Sequence, residues 1–193
     1  MSCKSLRVRS WLAVGLLALL AASGAASAGY SRDGDFTLTG PDGPLSLSDL
    51  KGKVVLIFFG YTSCPDVCPL SLARIHSSFS EMDPKELDRV RALFITLDPE
   101  RDTLDRLQKY TGYFHPNIIG LRQDEEVIRS VADQFGVKFS KTMRPESALG
   151  YTISHSTEIF LLDSSGQIVE AIPHNSKPTY LRARIRDLLN ASD

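Results

Sequence analysis

The chain has 193 residues, 42% of them hydrophobic and 23% charged, with a formal net charge of −1. That length is too short for two ordinary domains and long enough for one good core, and the composition fits neither a disordered nor a fibrous chain. Three cysteines are too few for a mini-protein built on disulfides, so each needs another account.

The first stretch accounts for one of them. Lys4, Arg7 and Arg9 form a basic head without an acid, Trp11 to Ala22 is uninterruptedly apolar or small, and Ala26-Ser27-Ala28 offers a small-residue exit. That order predicts a secretory signal peptide over residues 1–28, because the apolar body falls short of the roughly 20 residues that span a bilayer. The rival reading keeps residues 11–28 as an uncleaved anchor to the inner membrane. Either way the chain is expected to be exported to the periplasm, with one domain over residues 29–193. Cys3 leaves with the basic head. Removing three basic residues and no acidic one takes the net charge from −1 to −4, which argues against a nucleic-acid surface.

The domain reads as α/β. Phe36 to Thr39 and Leu45 to Leu47 flank the turn residues Gly40 to Pro44, a small leading hairpin. Lys53 to Gly60 and Val90 to Leu97 are nearly continuous apolar runs, the pattern of strands covered on both faces. Between them Leu72, Ile75, Phe79 and Met82 recur at helical spacing, so the two strands should be parallel across a helical crossover. A helix through Leu104, Leu107, Tyr110 and Phe114 precedes a short strand at Ile118 to Leu121. Val127, Ile128, Val131 and Phe135 mark another helix behind Asp124, a good N-cap residue. Glu158 to Asp163 and Gln167 to Ile172 make a hairpin around Ser164-Ser165-Gly166, and Leu181, Ile185 and Leu188 mark a closing helix. This order predicts a thioredoxin-like fold: an N-terminal β-hairpin and a central, mostly parallel sheet flanked by helices.

Tyr61-Thr62-Ser63-Cys64-Pro65-Asp66-Val67-Cys68-Pro69 lies where the first buried strand meets its helix, the usual place for a site in an open α/β sheet. A tight loop there brings both sulfurs to one side, and a helix N-terminus favours the thiolate, the form that binds metal and attacks disulfides. A structural disulfide closing so small a loop would stabilise little. The functional readings are a thiol–disulfide exchanger and a soft-metal site. Among the four histidines, His76 reads as a packing or surface residue, His115 as a cation suited to a helix C-terminus, and His174 as exposed. His155 precedes the buried strand at Glu158, in a loop expected to face the cysteines. Thioredoxin-type exchangers place a cis-proline there, yet no proline occurs between Pro145 and Pro173. Two thiolates and an imidazole direct the site to Cu(I) or Zn(II), and the imidazole also tolerates Cu(II).

Cys64-Pro65-Asp66-Val67-Cys68-Pro69, the run Leu97-Asp98-Pro99-Glu100-Arg101-Asp102-Thr103, and Tyr151 to Ser156 together resemble the signature of the Sco/SenC family of copper-binding proteins of cytochrome c oxidase assembly. The resemblance implies a thioredoxin-like fold holding one copper through Cys64, Cys68 and His155, with Cys64 and Cys68 forming a redox-active pair. It also implies delivery of copper to the CuA site of oxidase subunit II, or a related acceptor, or reduction of that site's cysteines. A periplasmic copper donor or thiol reductant would supply it. Asp98 matches a family acid near the site, although a turn residue before Pro99 reads equally well. Ser154 stands where the family often has Asp, and Leu104 where it often has Pro. A periplasmic thiol–disulfide oxidoreductase using the same cysteines without metal is the main alternative, and a redox or copper sensor the third.

Overall fold

A computed structural model of the chain describes residues 34–192. The leader or anchor expected over residues 1–28, and Cys3 with it, lie outside the described residues. Strands β1 (Thr37–Gly40) and β2 (Gly43–Ser46) form the leading hairpin, turned at Gly43 with φ +113°, a left-handed conformation that glycine adopts without a Cβ clash. A 3-10 turn, Leu47–Leu50, leads to β3 (Val54–Gly60), which is buried at every position. Helix α1 (Val67–Phe79) follows, with Leu72, Ile75 and Phe79 turned into the core. Met82 is buried but lies past the helix end, because Asp83 starts a second, short helix, α2 (Pro84–Asp88). Asp83 caps that helix from Oδ1 to the N–H groups of Lys85 and Glu86, and Glu86 returns a bond to the Asp83 N–H, a capping box that the apolar spacing alone hides.

The chain continues through β4 (Val90–Thr96), α3 (Leu104–Phe114), β5 (Ile118–Leu121) and α4 (Glu125–Gln134). Asp124 occupies the N-cap of α4 without a side-chain capping bond. Next come β6 (Phe139–Arg144) and β7 (Gly150–His155), then β8 (Ile159–Leu162), β9 (Ile168–Ile172) and α5 (Pro178–Ala191). The central sheet has the order β5-β4-β3-β8-β9. β3 pairs in parallel with β4, and β4 with β5, whereas β8 runs against both β3 and β9. Four of the five strands therefore point one way and only β8 is reversed, so the pairings divide evenly between parallel and antiparallel.

Successive side chains of β3 go to opposite faces. Phe59 meets Phe135 and Phe160 at centroid distances of 5.5 and 6.2 Å, while Phe58 turns to Phe94 at 6.2 Å. Phe58, Phe59, Phe79 and Phe94 are almost wholly removed from water and anchor one continuous core. Because the core fixes β3 and α1, it fixes the loop between them. The β6–β7 hairpin was not expected from the sequence: Tyr151 to Ser156 reads as a loop, but Gly150–His155 is a strand paired with Phe139–Arg144. Among the described residues, no helix is long and apolar enough to cross a membrane.

Candidate metal centre

The two cysteines belong to one loop and the histidine to another element. Cys68 is the second residue of α1 and fully buried; Cys64 lies in the loop before it and is half-buried, beside the exposed Pro65 and Asp66. The Cys64 N–H donates to the Tyr61 carbonyl at 3.2 Å, which curls the loop back on the end of β3. A close approach seats Cys68. A Cβ on Gly60 would stand 2.7 Å from Cys68 Sγ and 2.9 Å from Phe94 Cε2, so only glycine leaves room for the sulfur against the strand. His155 ends β7, and its ring is met edge-on by Phe58 at 6.2 Å and Tyr61 at 6.0 Å.

One donor atom from each of Cys64, Cys68 and His155 lies within 4.8 Å of the other two. Cys68 Sγ is 3.6 Å from His155 Nε2. His155 Nδ1 is 2.6 Å from the Ser156 carbonyl oxygen. A carbonyl only accepts, so Nδ1 carries the proton and Nε2 turns its lone pair toward the sulfurs. Metal–sulfur bonds of about 2.3 Å in a trigonal site put donors about 4 Å apart, so this set closes on an ion with little movement. Two sulfurs and one imidazole suit a soft or borderline ion, copper among them.

The two thiols are not alike. The hydrogen bond from Cys68 holds Cys64 far below the ordinary thiol range despite partial burial, and backbone N–H groups add to the effect. That same hydrogen bond, and then burial, pushes Cys68 far up. At neutral pH the pair therefore carries one negative charge and one proton, with the charge on the more exposed sulfur.

Asp102 holds the loop in place. Its Oδ2 accepts from the Thr62 N–H at 3.0 Å and from Thr96 Oγ1 at 2.6 Å, and its Oδ1 from Thr62 Oγ1. Arg106 covers this pin, with Nε on Thr62 Oγ1 and Nη2 3.0 Å from Ser63 Oγ. Asp98 is equally buried but stands outside the donor cluster: it pairs with Arg101 Nε and accepts from the Tyr151 hydroxyl at 2.6 Å. Sequence reasoning placed Asp98 near the site and overlooked Asp102, although both lie in the same Leu97 to Thr103 run.

The other histidines stay away. His76 is exposed on α1, 6.1 Å ring to ring from His115. The expectation of a cationic His115 at a helix end is corrected: burial, and then the neighbouring His76, lower its pKa, and it packs on Phe79 at 5.2 Å. His174 is half-buried rather than exposed, with Nδ1 3.0 Å from Thr157 Oγ1.

The sequence model of the SCO1/SenC family matches residues 24–190. The chain belongs to the SCO1/SenC family. Of curated members of this family, "SCO2-like protein RC0895" of Rickettsia conorii is 36% identical over 155 residues, covering 80% of this chain and 75% of the relative. "Protein SCO2, mitochondrial" of Saccharomyces cerevisiae is 36% identical over 159 residues, covering 82% of this chain but only 53% of the yeast protein, so the chain spans about half of that relative. Among solved SCO1/SenC structures, copper-bound ScoI of Bradyrhizobium japonicum superposes with a TM-score of 0.74 at 37% identity, over 82% of this chain and 99% of that one. Copper-bound yeast Sco1 gives a TM-score of 0.73 at 30% identity, over 83% and 90%. The fold is thereby the thioredoxin-like one expected from the sequence.

Proposed function

We propose that this protein is a copper chaperone that holds one ion through Cys64 Sγ, Cys68 Sγ and His155 Nε2 and gives it up to the CuA site of cytochrome c oxidase subunit II or a related acceptor. The observation that carries this reading is the convergence of three soft and borderline donors, from two separate elements, within 4.8 Å. Two of the similar structures are described as having copper bound, which supports copper as the cargo. Cys64 is the more open side of the site, so an acceptor's ligands can replace it first while Cys68 and His155 still hold the ion. Export of the domain by residues 1–28, with periplasmic supply of copper or reductant, belongs to the same proposal.

The unequal thiols favour a second reading, reduction of the acceptor's cysteines. Cys64 as thiolate attacks one sulfur of the partner's disulfide, and Cys68 then attacks Cys64 and releases the partner. A Cys64–Cys68 disulfide forms, the partner gains two electrons, and its two thiols take one proton from Cys68 and one from solvent. The protein isolated from the exported compartment discriminates the two when metal and thiol state are measured together. Copper near one per chain with both thiols reduced is expected for the chaperone, whereas a metal-free protein isolated as the disulfide, which reduces disulfide substrates once a thiol reductant has reduced it, overturns it.

A further inference from the structure

The third donor stands on a hairpin outside the five-stranded sheet, since β6 and β7 pair with each other. Arg101, in the loop after β4, ties that loop to the hairpin at β7. Arg101 Nε pairs with the buried Asp98, whose Oδ1 accepts from the Tyr151 hydroxyl at 2.6 Å. Arg101 Nη1 donates to the carbonyls of Leu149 at 2.9 Å and Tyr151 at 3.2 Å, and the guanidinium carbon lies 3.8 Å from the centre of the Tyr151 ring. Asp98 is itself fixed, because its N–H donates to Thr96 Oγ1 at 3.0 Å, the same hydroxyl that donates to Asp102. A continuous path of polar contacts thus runs from the cysteine loop through Asp102, Thr96, Asp98 and Arg101 to Tyr151. Tyr151 is the second residue of the strand that His155 ends. On the other strand Lys141 is held by Glu100 at 3.1 Å and Glu125 at 3.0 Å, and Tyr61 Oη accepts from the Ile153 N–H at a longer 3.4 Å.

We infer that Arg101 is a positioning residue for the third donor: it sets the height of β7 against the cysteine loop, and so the distance of His155 Nε2 from the two sulfurs. The inference rests on the copper reading of the site. Arg101 reaches neither sulfur nor the imidazole, so its loss leaves both thiols intact and frees the histidine. Cu(I) is satisfied by thiolates, whereas Cu(II) draws on nitrogen donors, so the two ions should respond unequally.

The test compares the whole chain with Arg101→Met, Arg101→Lys and Tyr151→Phe. In the metal-free, reduced protein, Arg101→Met is expected to speed amide exchange at Ile153 at least tenfold while leaving Phe58 in the central sheet unchanged. Loss of a group that orients a ligand lowers metal affinity about 10- to 100-fold, and that loss is expected for Cu(II), with Cu(I) changing by less than about threefold. Arg101→Lys should restore part of the Cu(II) affinity. Tyr151→Phe removes only the hydroxyl and is read by the same criteria if Arg101→Met does not fold. Unchanged exchange at Ile153, or an equal fall for both ions, overturns the inference. If the wild-type protein binds neither ion while exchange responds as expected, the copper reading falls and the positioning of His155 by Arg101 stands.

Discussion

At the scale of single residues, the site depends on one missing methyl group and one displaced proton. Gly60 lets Cys68 Sγ lie against the end of β3, and a Cβ there would sit 2.7 Å from the sulfur. Gly60→Ala is therefore expected to destabilise the fold by about 1–3 kcal/mol, the usual cost of overpacking, and to weaken copper binding by pushing Cys68 aside. Denaturant unfolding and competitive copper titration of the variant check the two effects separately. The proton follows from the unequal thiols: Cys64 is held low and Cys68 high, so at neutral pH copper displaces a proton from Cys68 alone. Cu(I) binding should release about one proton per ion, and the affinity should fall about tenfold for each unit that the pH drops. Weakly buffered titration measures the release, and two protons per ion would show both sulfurs protonated beforehand. Cys64, Cys68 and His155 were legible in the sequence because their chemistry is unusual in a chain so poor in cysteine. Gly60, Asp102 and Arg101 were not, since their roles are distances to residues far along the chain.

At the scale of elements, β3 and β4 were readable as continuous apolar runs because both their faces are buried, and α1 because it buries one face and so shows its period. The β6–β7 hairpin buries little: Ser140, Thr142, Met143 and Arg144 are exposed, so no apolar alternation marks it. Its order comes instead from side-chain ties to α4 and to the loop after β4, including Arg129 stacked 4.4 Å from the Phe139 ring centre. The cysteine loop is likewise tied rather than packed. Asp102→Asn puts a donor in place of either the oxygen that accepts from the Thr62 hydroxyl or the one that accepts from the Thr62 N–H and the Thr96 hydroxyl, and should cost about 1–3 kcal/mol as well as copper affinity. Asp163 does similar work at the β8–β9 turn. Partial burial pushes its pKa up, but bonds from Ser165 Oγ and from the N–H groups of Ser165 and Gln167 outweigh it and leave the carboxyl below the ordinary value of 3.8. A carboxyl lowered by folding stabilises the fold above its unfolded pKa, and that contribution is lost as the pH falls through the folded value. Asp163→Ala should thus cost about 1 kcal/mol at neutral pH and little in strong acid. Unfolding midpoints across that range would contradict this if the cost were the same at both ends.

At the scale of the whole molecule, a rigid sheet carries two donors at the end of its central strand and a tied hairpin brings the third. The division suits the proposed hand-over of the ion, because the sulfurs and the imidazole stand on separate parts. The central claim is that these three donors form one copper site, and anaerobic titration of the reduced protein with Cu(I) and with Cu(II), beside Cys64→Ser and His155→Ala, tests it most directly. One ion per wild-type chain is predicted, with Cu(I) affinity reduced at least tenfold by Cys64→Ser and Cu(II) affinity at least tenfold by His155→Ala. Unchanged affinity and stoichiometry for both ions in either variant would contradict the account.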